Sequence, residues 1–465
     1  MTTSRSSALW APERRAVTTA ILLLITLAAF EALAVSTALP TLVADLRGES
    51  LYSWPFTSYL AASVVATVLS GRACDRWGPA PALLAAPLVF LVGLVVAGVA
   101  VNMPMLLVGR VLQGFGGGVE IVAVYVLIAA VYPEEDRAAA FGAMSAAWVV
   151  PSLVGPTVAG LVTEHLTWRL IFLGLVPLTL VAWLLLLSVL RRMLRESAAS
   201  SDTQEDPVPR PRLPLAALAA AIGLTAVTWA AQHPSGRSLL LGVVGLVVLL
   251  PALRHLLPAG TLTARPGLPT FILSRGLLAG AFFSVEAYLP LTLTAVHDYS
   301  PAEAGLPLTV GAIGWSLGSA WQSRRSTVPR ETFLRIGFGM LAVALAAIAL
   351  VAPEWGPAWL AAPIWAVSGA AMGLAMPCIG VKVLELSEPK ERGFNSSALQ
   401  VCDMLTSALL TGLGGVALNT LASAAEPTAA VVPLDLAMAL VAATGVLLVR
   451  PRRTRNVSGA AVRHG

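Results

Sequence analysis

The sequence predicts an all-α integral membrane protein, and three observations support this fold class. Hydrophobic residues fill 57% of the 465 positions and charged residues only 12%, about half of the charged fraction of a typical soluble domain. Apolar runs such as 83–100 and 178–190 contain no charged side chain. Lysine and arginine concentrate between alternate apolar segments, as they do in the cytoplasmic loops of multi-pass proteins.

Fourteen segments are long and apolar enough to cross a bilayer, which takes about 20 residues each. They are predicted to be helices, because an isolated segment in lipid can satisfy its backbone hydrogen bonds only within a helix. We number these segments spans 1 to 14. In chain order they are predicted at 17–39, 54–71, 82–102, 105–131, 139–162, 168–190, 214–232, 238–257, 270–296, 303–323, 333–352, 359–384, 394–419 and 431–449.

The cationic residues predict the orientation of the chain. Of the 30 lysines and arginines, 24 lie in the termini, in the loops after even-numbered spans or at the adjoining helix ends, and only Arg47, Arg169 and Arg237 lie in the other loops. Both termini are therefore expected in the cytoplasm, with the chain in the plasma membrane. The net charge of +5 then indicates contact with anionic lipid rather than with nucleic acid. Abundant alanine and arginine with only two lysines suggest a bacterial source.

The polar segments divide the chain into two similar halves around an insert. The halves share a weak repeat, which is common among secondary transporters: a charged turn and a helix rich in small residues follow both span 4 and span 12. The predicted units are an N-terminal arm (1–16), a six-helix bundle (17–190), a linker (191–213), a two-helix hairpin (214–257), a second six-helix bundle (270–449) and a basic tail (450–465).

The segment after span 2 carries a motif of glycines and charged residues. It contains Gly71, Asp75, Arg76 and Gly78 in the spacing G-x-x-x-D-R-x-G, which resembles the signature inner loop of the major facilitator superfamily. The resemblance implies two six-helix bundles that alternate in access, with this loop as a latch of the outward-open state. We expect close helix approach and a tight reversal at the glycines, and attraction between the acid and a facing helix N-terminus.

Span 4 carries a second motif. Arg110, Gln113 and Gly114 resemble the R-x-x-Q-G motif of the same family. Arg110 lies inside the predicted span, where an unpaired guanidinium is costly, so it needs a partner or water.

Span 5 carries a motif whose resemblance bears on the direction of transport. Pro151, Gly155, Pro156 and Gly160 resemble the G-P-x-x-G-G motif of exporters in the family, with Ala159 in place of one glycine. The resemblance implies antiport rather than uptake. A generic small-residue packing face is the alternative interpretation.

Four acids lie deep in predicted spans: Glu31, Glu120, Glu286 and Asp403. An ionised carboxylate at the bilayer centre is costly, so each must face a cavity or a cation, or stay protonated. We expect Glu31 to be the leading proton-coupling site, with Arg110 as its counter-charge, and Glu286 to be the second choice. The alternative for each acid is a permanently protonated group bonded to a neighbouring helix.

The motifs together resemble most closely the fourteen-helix drug:proton antiporters of the superfamily. The resemblance implies proton-coupled efflux of lipophilic or amphipathic small molecules such as drugs or antibiotics. The alternative left open is an exporter or flippase of an endogenous lipid or glycolipid. Aromatic residues that could line an apolar cavity are Tyr125, Phe282, Phe283, Tyr288 and Trp315, and helix packing is the alternative role for each.

The sequence argues against an enzyme or an ATP-driven pump. Lys382 and Lys390 do not follow a glycine, so no phosphate-binding P-loop is present. The five histidines form no pair at i, i+4 that would suggest a metal site. We therefore expect no cofactor and no metal. The expected partners are a small-molecule substrate, protons and membrane lipids, and the chain is expected to act as a monomer.

Overall fold

The computed structural model describes most of the chain and shows helices throughout. It describes residues 9–12, 14–133, 136, 140, 143–144, 147–199, 212–233, 235–325, 327–388 and 391–449. Within these ranges there is no β-strand. The basic tail, most of the N-terminal arm and residues 200–211 of the predicted linker lie outside them.

A helix lies at each of the fourteen predicted spans. Span 6 is interrupted at Gly174, and its second helix continues into the predicted linker. The helices are Arg15–Asp45, Trp54–Trp77, Pro79–Gly98, Met103–Val131, Val149–His165, Arg169–Leu173 with Leu175–Ala199, Leu213–Gln232, Gly236–Leu256, Leu268–Val296, Pro301–Ser323, Arg330–Ile348, Ala361–Leu386, Arg392–Leu421 and Thr428–Leu448.

Length and hydropathy identify most of these helices as membrane-crossing. In the described part of the chain, eleven combine at least 18 residues with strongly apolar composition. The helices of spans 2, 5 and 10 do not meet that criterion, because they are shorter or carry more small and polar residues. These three spans lie at the seam between the bundles.

We name the two ends of the helical bundle by the chain termini. The terminal face carries the helix ends at Arg15 and Leu448, and the opposite face carries those at Asp45 and Thr428. By the predicted orientation, the terminal face is cytoplasmic.

Three helices that start at the opposite face begin with a side-chain cap. The first backbone N–H groups of a helix have no partner within it, and a polar side chain can satisfy one of them. Asn102 accepts from the Met105 amide at 2.9 Å in span 4, and Ser235 accepts from the Ser238 amide at 3.1 Å in span 8. In span 10, Ser300 forms a reciprocal capping box with a glutamate three residues later.

The helices form two six-helix bundles and an inserted two-helix hairpin. Spans 1 to 6 pack together, and so do spans 9 to 14. The bundles meet where span 5 crosses span 10, where span 2 meets span 13 and where span 1 meets span 9. Spans 7 and 8 pack on each other, and span 7 lies against spans 2 and 13. The hairpin therefore touches both bundles, while span 8 presents exposed leucine and valine side chains to the surroundings.

Glycines allow the tightest helix contacts within each bundle. A Cβ atom at Gly114 of span 4 would overlap the carbonyl of Tyr59 in span 2, and the Ser63 hydroxyl donates to the Gly114 carbonyl at 2.9 Å. In the second bundle, a Cβ at Gly369 of span 12 would overlap the backbone of Gly311 in span 10. Small residues permit this backbone approach. The resulting van der Waals contacts stabilise helix association in lipid, where no hydrophobic driving force acts between helices.

The segment after span 2 is more helical than the motif predicted. The helix runs on through Gly71 to Trp77, so it is six residues longer than the predicted span 54–71. Gly78 alone makes the reversal, with φ of +72°, a conformation that favours glycine. The close approach expected at Gly71 is also wrong, since no heavy atom lies within 4 Å of a Cβ there. Arg76 is exposed, and the Asp75 side chain lies outside the described part of the structure.

The glycine contacts predict opposite effects for two Gly→Ala substitutions. Gly114→Ala should lower the free energy of unfolding by about 1–3 kcal/mol, because the added methyl overpacks the span 2–span 4 contact. Gly71→Ala is the matched control and should be neutral or slightly stabilising, because alanine favours a helix and the site is open. Thermal unfolding of the detergent-purified proteins, followed by tryptophan fluorescence, tests both. Equal melting temperatures would contradict the packing.

Candidate functional site

A buried ion pair joins spans 1 and 4. The Arg110 guanidinium contacts the Glu31 carboxylate, with the arginine 2% exposed and the glutamate fully buried. The same guanidinium donates through Nε to the Pro55 carbonyl of span 2 at 3.1 Å, and through an Nη atom to Gln113 Oε1 at 2.8 Å. One side chain therefore connects three helices of the first bundle, and motif residues Arg110 and Gln113 act together.

An aromatic ring completes this site. The Tyr59 ring of span 2 lies 4.5 Å from the guanidinium carbon of Arg110, within the range of a cation–π contact. Gly114 and Gly117 make room for it, since a Cβ at Gly117 would lie 2.8 Å from the Tyr59 hydroxyl. Sequence reasoning missed Tyr59, because a tyrosine in span 2 belongs to no motif.

The ion-pair site retains unused hydrogen-bonding capacity. In the described part of the chain, neither Glu31 Oε2 nor Gln113 Nε2 has a hydrogen-bond partner. A buried polar atom without a partner carries a desolvation cost of about 1–3 kcal/mol. Glu31 Oε2 can therefore accept a proton or a hydrogen bond, and Gln113 Nε2 can donate one to a water molecule or to a polar substrate group.

The other predicted acids lie apart from this pair. Glu120 is buried further along span 4, seven residues from Gln113, and no ion pair is found for it among the described residues. Glu286 is half-buried on span 9, and its backbone carbonyl accepts from the Ser36 hydroxyl of span 1 at 3.4 Å. Glu286 therefore lies at the seam between the bundles.

Asp403 has a partner of its own. Its carboxylate accepts from Arg275 Nε at 2.7 Å, which links spans 13 and 9. This pair is more exposed than the Glu31–Arg110 pair, with side chains 15% and 21% exposed. The structure thus gives Asp403 a counter-charge within the second bundle.

Sequence reasoning missed one buried acid, Asp435. It lies in span 14, is 2% exposed, and its Oδ1 atom has no hydrogen-bond partner among the described residues. It lines a small apolar cavity with Val285, Leu289 and Thr292 of span 9. The predicted span began at residue 431, which placed this acid near a helix end. The helix begins at Thr428, so the acid lies deeper than the pattern indicated.

Three of the five predicted lining aromatics form one cluster in the second bundle. Phe282 contacts Phe283 and Trp315 edge-to-face, with ring centroids 5.3 and 5.8 Å apart. It also stacks on Trp365 of span 12 at 5.0 Å, a residue that the sequence did not single out. Phe283 and Trp315 remain partly exposed, so the cluster presents aromatic surface to the space around it.

The remaining two predicted lining residues lie elsewhere. Tyr288 is buried, stacks on Tyr52, which lies just before span 2, with ring centroids 5.3 Å apart, and donates its hydroxyl to the Thr411 carbonyl at 2.8 Å. The Tyr52 hydroxyl in turn donates to the Ala287 carbonyl at 3.3 Å. Tyr288 therefore packs within the seam rather than lining a cavity. Tyr125 lies on span 4 and is 37% exposed.

The motif of span 5 forms the crossing with span 10. A Cβ at Gly160 would lie 2.6 Å from the Pro301 carbonyl oxygen, and a Cβ at Gly305 would lie 2.7 Å from the Pro156 carbonyl oxygen. Each glycine thus allows the backbone of one bundle to touch the backbone of the other. The motif lies at the contact between the two bundles.

The rest of this motif packs on span 1 and along the same crossing. Pro151 and Gly155 are buried, and a Cβ at Gly155 would make an ordinary contact with Phe30 at 3.6 Å. One residue after Pro156, the Thr157 hydroxyl lies 3.2 Å from the Thr309 hydroxyl of span 10. A direct hydrogen bond therefore joins the bundles at mid-height.

The inserted hairpin contributes a glutamine to the same seam. Gln232, at the end of span 7, accepts from the Trp54 indole N–H at 2.6 Å and donates to the Ser53 hydroxyl at 3.0 Å. Its amide nitrogen also lies 3.3 Å from the Gly412 carbonyl of span 13. A Cβ at Gly415 would lie 2.8 Å from this nitrogen, so the contact is close-packed. One buried side chain thus bonds to both bundles.

The bundles are held together towards the opposite face. Among the described residues, four side-chain hydrogen bonds join the bundles, all at mid-height or nearer that face, and Gln232 lies at the same level. The four join Ser36 to Glu286, Tyr52 to Ala287, Thr157 to Thr309 and Asn419 to Ser50.

Comparison with known proteins identifies the family. The profile of the Major Facilitator Superfamily matches residues 21–411, which is most of the chain. This chain belongs to that superfamily. Its membership of the Major Facilitator Superfamily agrees with the multi-pass helical fold described above.

Relatives of known sequence lie in the same superfamily. A probable multidrug-efflux transporter of Mycobacterium tuberculosis is 28% identical over 445 residues, covering 88% of each chain. The multidrug efflux pump SdrM of Staphylococcus aureus is 25% identical over 336 residues, covering 70% of this chain and 72% of the pump. The chain spans a little over half the length, 57%, of an uncharacterized MFS-type transporter of Mycobacterium tuberculosis that is 29% identical over 393 residues and 83% of this chain.

Solved structures of the superfamily share the fold. A peptide transporter in complex with alafosfalin superposes with a TM-score of 0.66 at 14% identity, covering 92% of this chain and 93% of its own. The human organic anion transporter MFSD10 superposes with a TM-score of 0.61 at 14% identity, covering 95% and 100%. At these identities the likeness concerns the fold alone.

The burial of the Glu31–Arg110 ion pair predicts how strongly substitutions in it lower the stability of the protein. Arg110→Gln should lower the free energy of unfolding by about 3 kcal/mol or more, because it leaves the Glu31 charge buried without a counter-charge. The double variant Glu31→Gln/Arg110→Gln should recover part of this loss. Arg169→Gln removes the exposed pair with Asp45 and should cost less than about 1 kcal/mol. Thermal unfolding of the unmodified protein and of the three variants measures these losses. A loss for Arg110→Gln no larger than the Arg169→Gln loss would contradict the prediction.

Proposed function

We propose that the chain is a proton-coupled antiporter that exports lipophilic or amphipathic small molecules across a bacterial plasma membrane. The observation that carries the proposal is the buried Glu31–Arg110 pair, whose second carboxylate oxygen has no partner among the described residues. The multidrug efflux relatives support the direction and the substrate class. In the proposed orientation, both termini lie in the cytoplasm and the opposite face is the outer face.

Protonation of Glu31 is the proposed coupling step. A proton on this carboxyl cancels its charge, so the Coulomb attraction to Arg110 is lost. The guanidinium then keeps only its contacts with Pro55, Gln113 and the Tyr59 ring. Because the ion pair is one of the bonds between spans 1 and 4, its loss changes the relative stability of the two access states. A proton can shift that equilibrium only through such a difference.

The substrate is proposed to bind beside the aromatic cluster of the second bundle. Phe283 and Trp315 offer partly exposed aromatic surface, which suits a lipophilic body. Glu286 is half-buried at the adjoining seam and can pair with a cationic group. An amphipathic cation would therefore satisfy both features, and ethidium is a suitable first probe.

The contacts towards the opposite face are proposed to be the outer gate. The conformation described then has its outer side closed, which is the inward-facing part of an alternating-access cycle. Opening the outer side requires span 5 to part from span 10 and span 2 to part from span 13. Gln232 must release one bundle in that step, so the hairpin takes part in the gate.

Substitution of the coupling acid tests the proposal. Glu31→Gln should abolish proton release driven by ethidium in proteoliposomes, because the amide cannot carry the proton. Glu354→Gln is the control, since this acid is exposed in a loop, and its transport should match that of the unmodified protein. The assay is the fluorescence of a trapped pH dye after ethidium addition, with protein-free vesicles as the baseline.

The outcomes of this test are distinct. Proton release by Glu31→Gln at the unmodified rate would remove the coupling role of this acid. Ethidium movement without any proton release by the unmodified protein would remove antiport. A growth-inhibition panel in a host without its own efflux pumps then extends the comparison to other compounds.

A reversible cross-link tests the outer gate. In a background with Cys74, Cys378 and Cys402 replaced by serine, Thr157→Cys/Thr309→Cys should form a disulfide on oxidation, because the native hydroxyls are 3.2 Å apart. The cross-linked protein should lose transport and regain it after reduction. Each single-cysteine variant should keep its activity under oxidation. Full transport by the cross-linked protein would show that this contact does not open.

A further inference from the structure

A cavity at the terminal face lies between the hairpin and the second bundle. Its volume is about 400 Å³, and it forms where span 7 begins, span 8 ends and span 13 begins. Its charged and apolar walls include Arg212, Arg254, His255, Leu213, Leu257 and Phe394. It lies at the other end of the hairpin from Gln232, so it is separate from the proposed gate and coupling site.

The charges that line this cavity are all basic. Arg212, Arg254 and His255 are exposed, and no acidic side chain lines the cavity. Within the described residues, none of the three forms an ion pair or a side-chain hydrogen bond. Two guanidinium groups around one cavity repel each other unless an anion lies between them.

The helix ends strengthen the positive potential. Span 7 begins at Leu213 and span 13 begins at Arg392, so two helix N-termini lie beside the cavity. The N-terminus of a helix carries a partial positive charge and free backbone N–H groups. The cavity therefore combines two arginines, a histidine and the positive ends of two helices, against the single negative C-terminal end of span 8.

The position of the cavity selects the kind of anion. Arg254 and His255 lie in the last turn of a membrane-crossing helix, so the cavity lies at the boundary between lipid and water. Its apolar wall of Leu213, Leu257 and Phe394 suits the glycerol and first methylenes of a lipid. Beyond it, Leu215 of span 7 and Val247 of span 8 are exposed apolar side chains that can contact acyl chains.

We infer that this cavity binds the headgroup of an anionic phospholipid of the adjoining leaflet. Basic pockets between helices at this level recognise such headgroups through phosphate contacts. The volume is within the range of small-ligand sites. A lipid held there contacts the hairpin and span 13 at once, so it fastens the insert to the second bundle. The inference does not depend on proton coupling.

Thermal unfolding of the full chain in detergent tests this binding. The probes are phosphatidylglycerol, phosphatidylcholine and glycerol phosphate, each added at equal concentration. Phosphatidylglycerol should raise the melting temperature by several degrees. Phosphatidylcholine and glycerol phosphate should leave it unchanged, because one lacks net charge and the other lacks acyl chains.

The arginines are tested with a charge-matched control. Arg212→Gln/Arg254→Gln should weaken phosphatidylglycerol binding about thirtyfold, measured as the concentration for half of the shift. Arg237→Gln/Arg324→Gln removes the same charge away from the cavity and should keep the full response. Arg212→Lys/Arg254→Lys should keep most of it, since the charge remains.

Several results would overturn the inference. They are an equal shift with phosphatidylcholine, full binding by the glutamine variant, or a shift produced by glycerol phosphate alone, which would indicate a soluble phosphate ligand. If the glutamine variant is not monodisperse, photoactivatable phosphatidylglycerol is cross-linked to the unmodified protein. Labelling of the peptide around Arg254 supports the site, and labelling only elsewhere overturns it.

Discussion

The burial of one guanidinium constrains the architecture of the first bundle. Arg110 is almost fully removed from solvent inside a membrane-crossing helix, where a charge without a partner is not tolerated. Its contacts therefore fix the distances between spans 1, 2 and 4, and the glycines of span 4 allow span 2 to come close enough. The positions of Glu31, Pro55 and Tyr59 all follow from the need to surround that charge.

Both bundles bring their helices together at glycines, but they place their charged side chains differently. Both bring glycine-bearing helices into backbone contact, at Gly114 in the first bundle and at Gly369 in the second. The first bundle buries its ion pair completely, whereas the Arg275–Asp403 pair of the second is partly exposed. The first bundle thus has a buried ion pair in its interior, and the second has a partly exposed aromatic cluster; the proposed function assigns the proton to the former and the substrate to the latter.

Hydropathy predicted the fold because the membrane imposes helices on every long apolar run. It located all fourteen spans, yet it shortened helices such as Trp54–Trp77, since polar residues at a helix end lower the local hydropathy without ending the helix. The same error hid the depth of Asp435. Ionisable residues inside predicted spans indicated Glu31 and Arg110 as a pair, and the structure brings these two side chains into contact. Tyr59, Trp365 and Gln232 were missed, because contacts between distant helices leave no local pattern in the sequence.

The shared amide of Gln232 has a consequence for how such a chain can change its number of helices. Ser53, Trp54 and the Gly412 carbonyl all use this one side chain. Removal of the hairpin would take this hydrogen-bond partner from the Trp54 indole N–H and the Ser53 hydroxyl, which lie where span 2 begins. The two additional helices are therefore hydrogen-bonded to both bundles, and a twelve-helix version would have to satisfy the polar groups of Ser53 and Trp54 in another way.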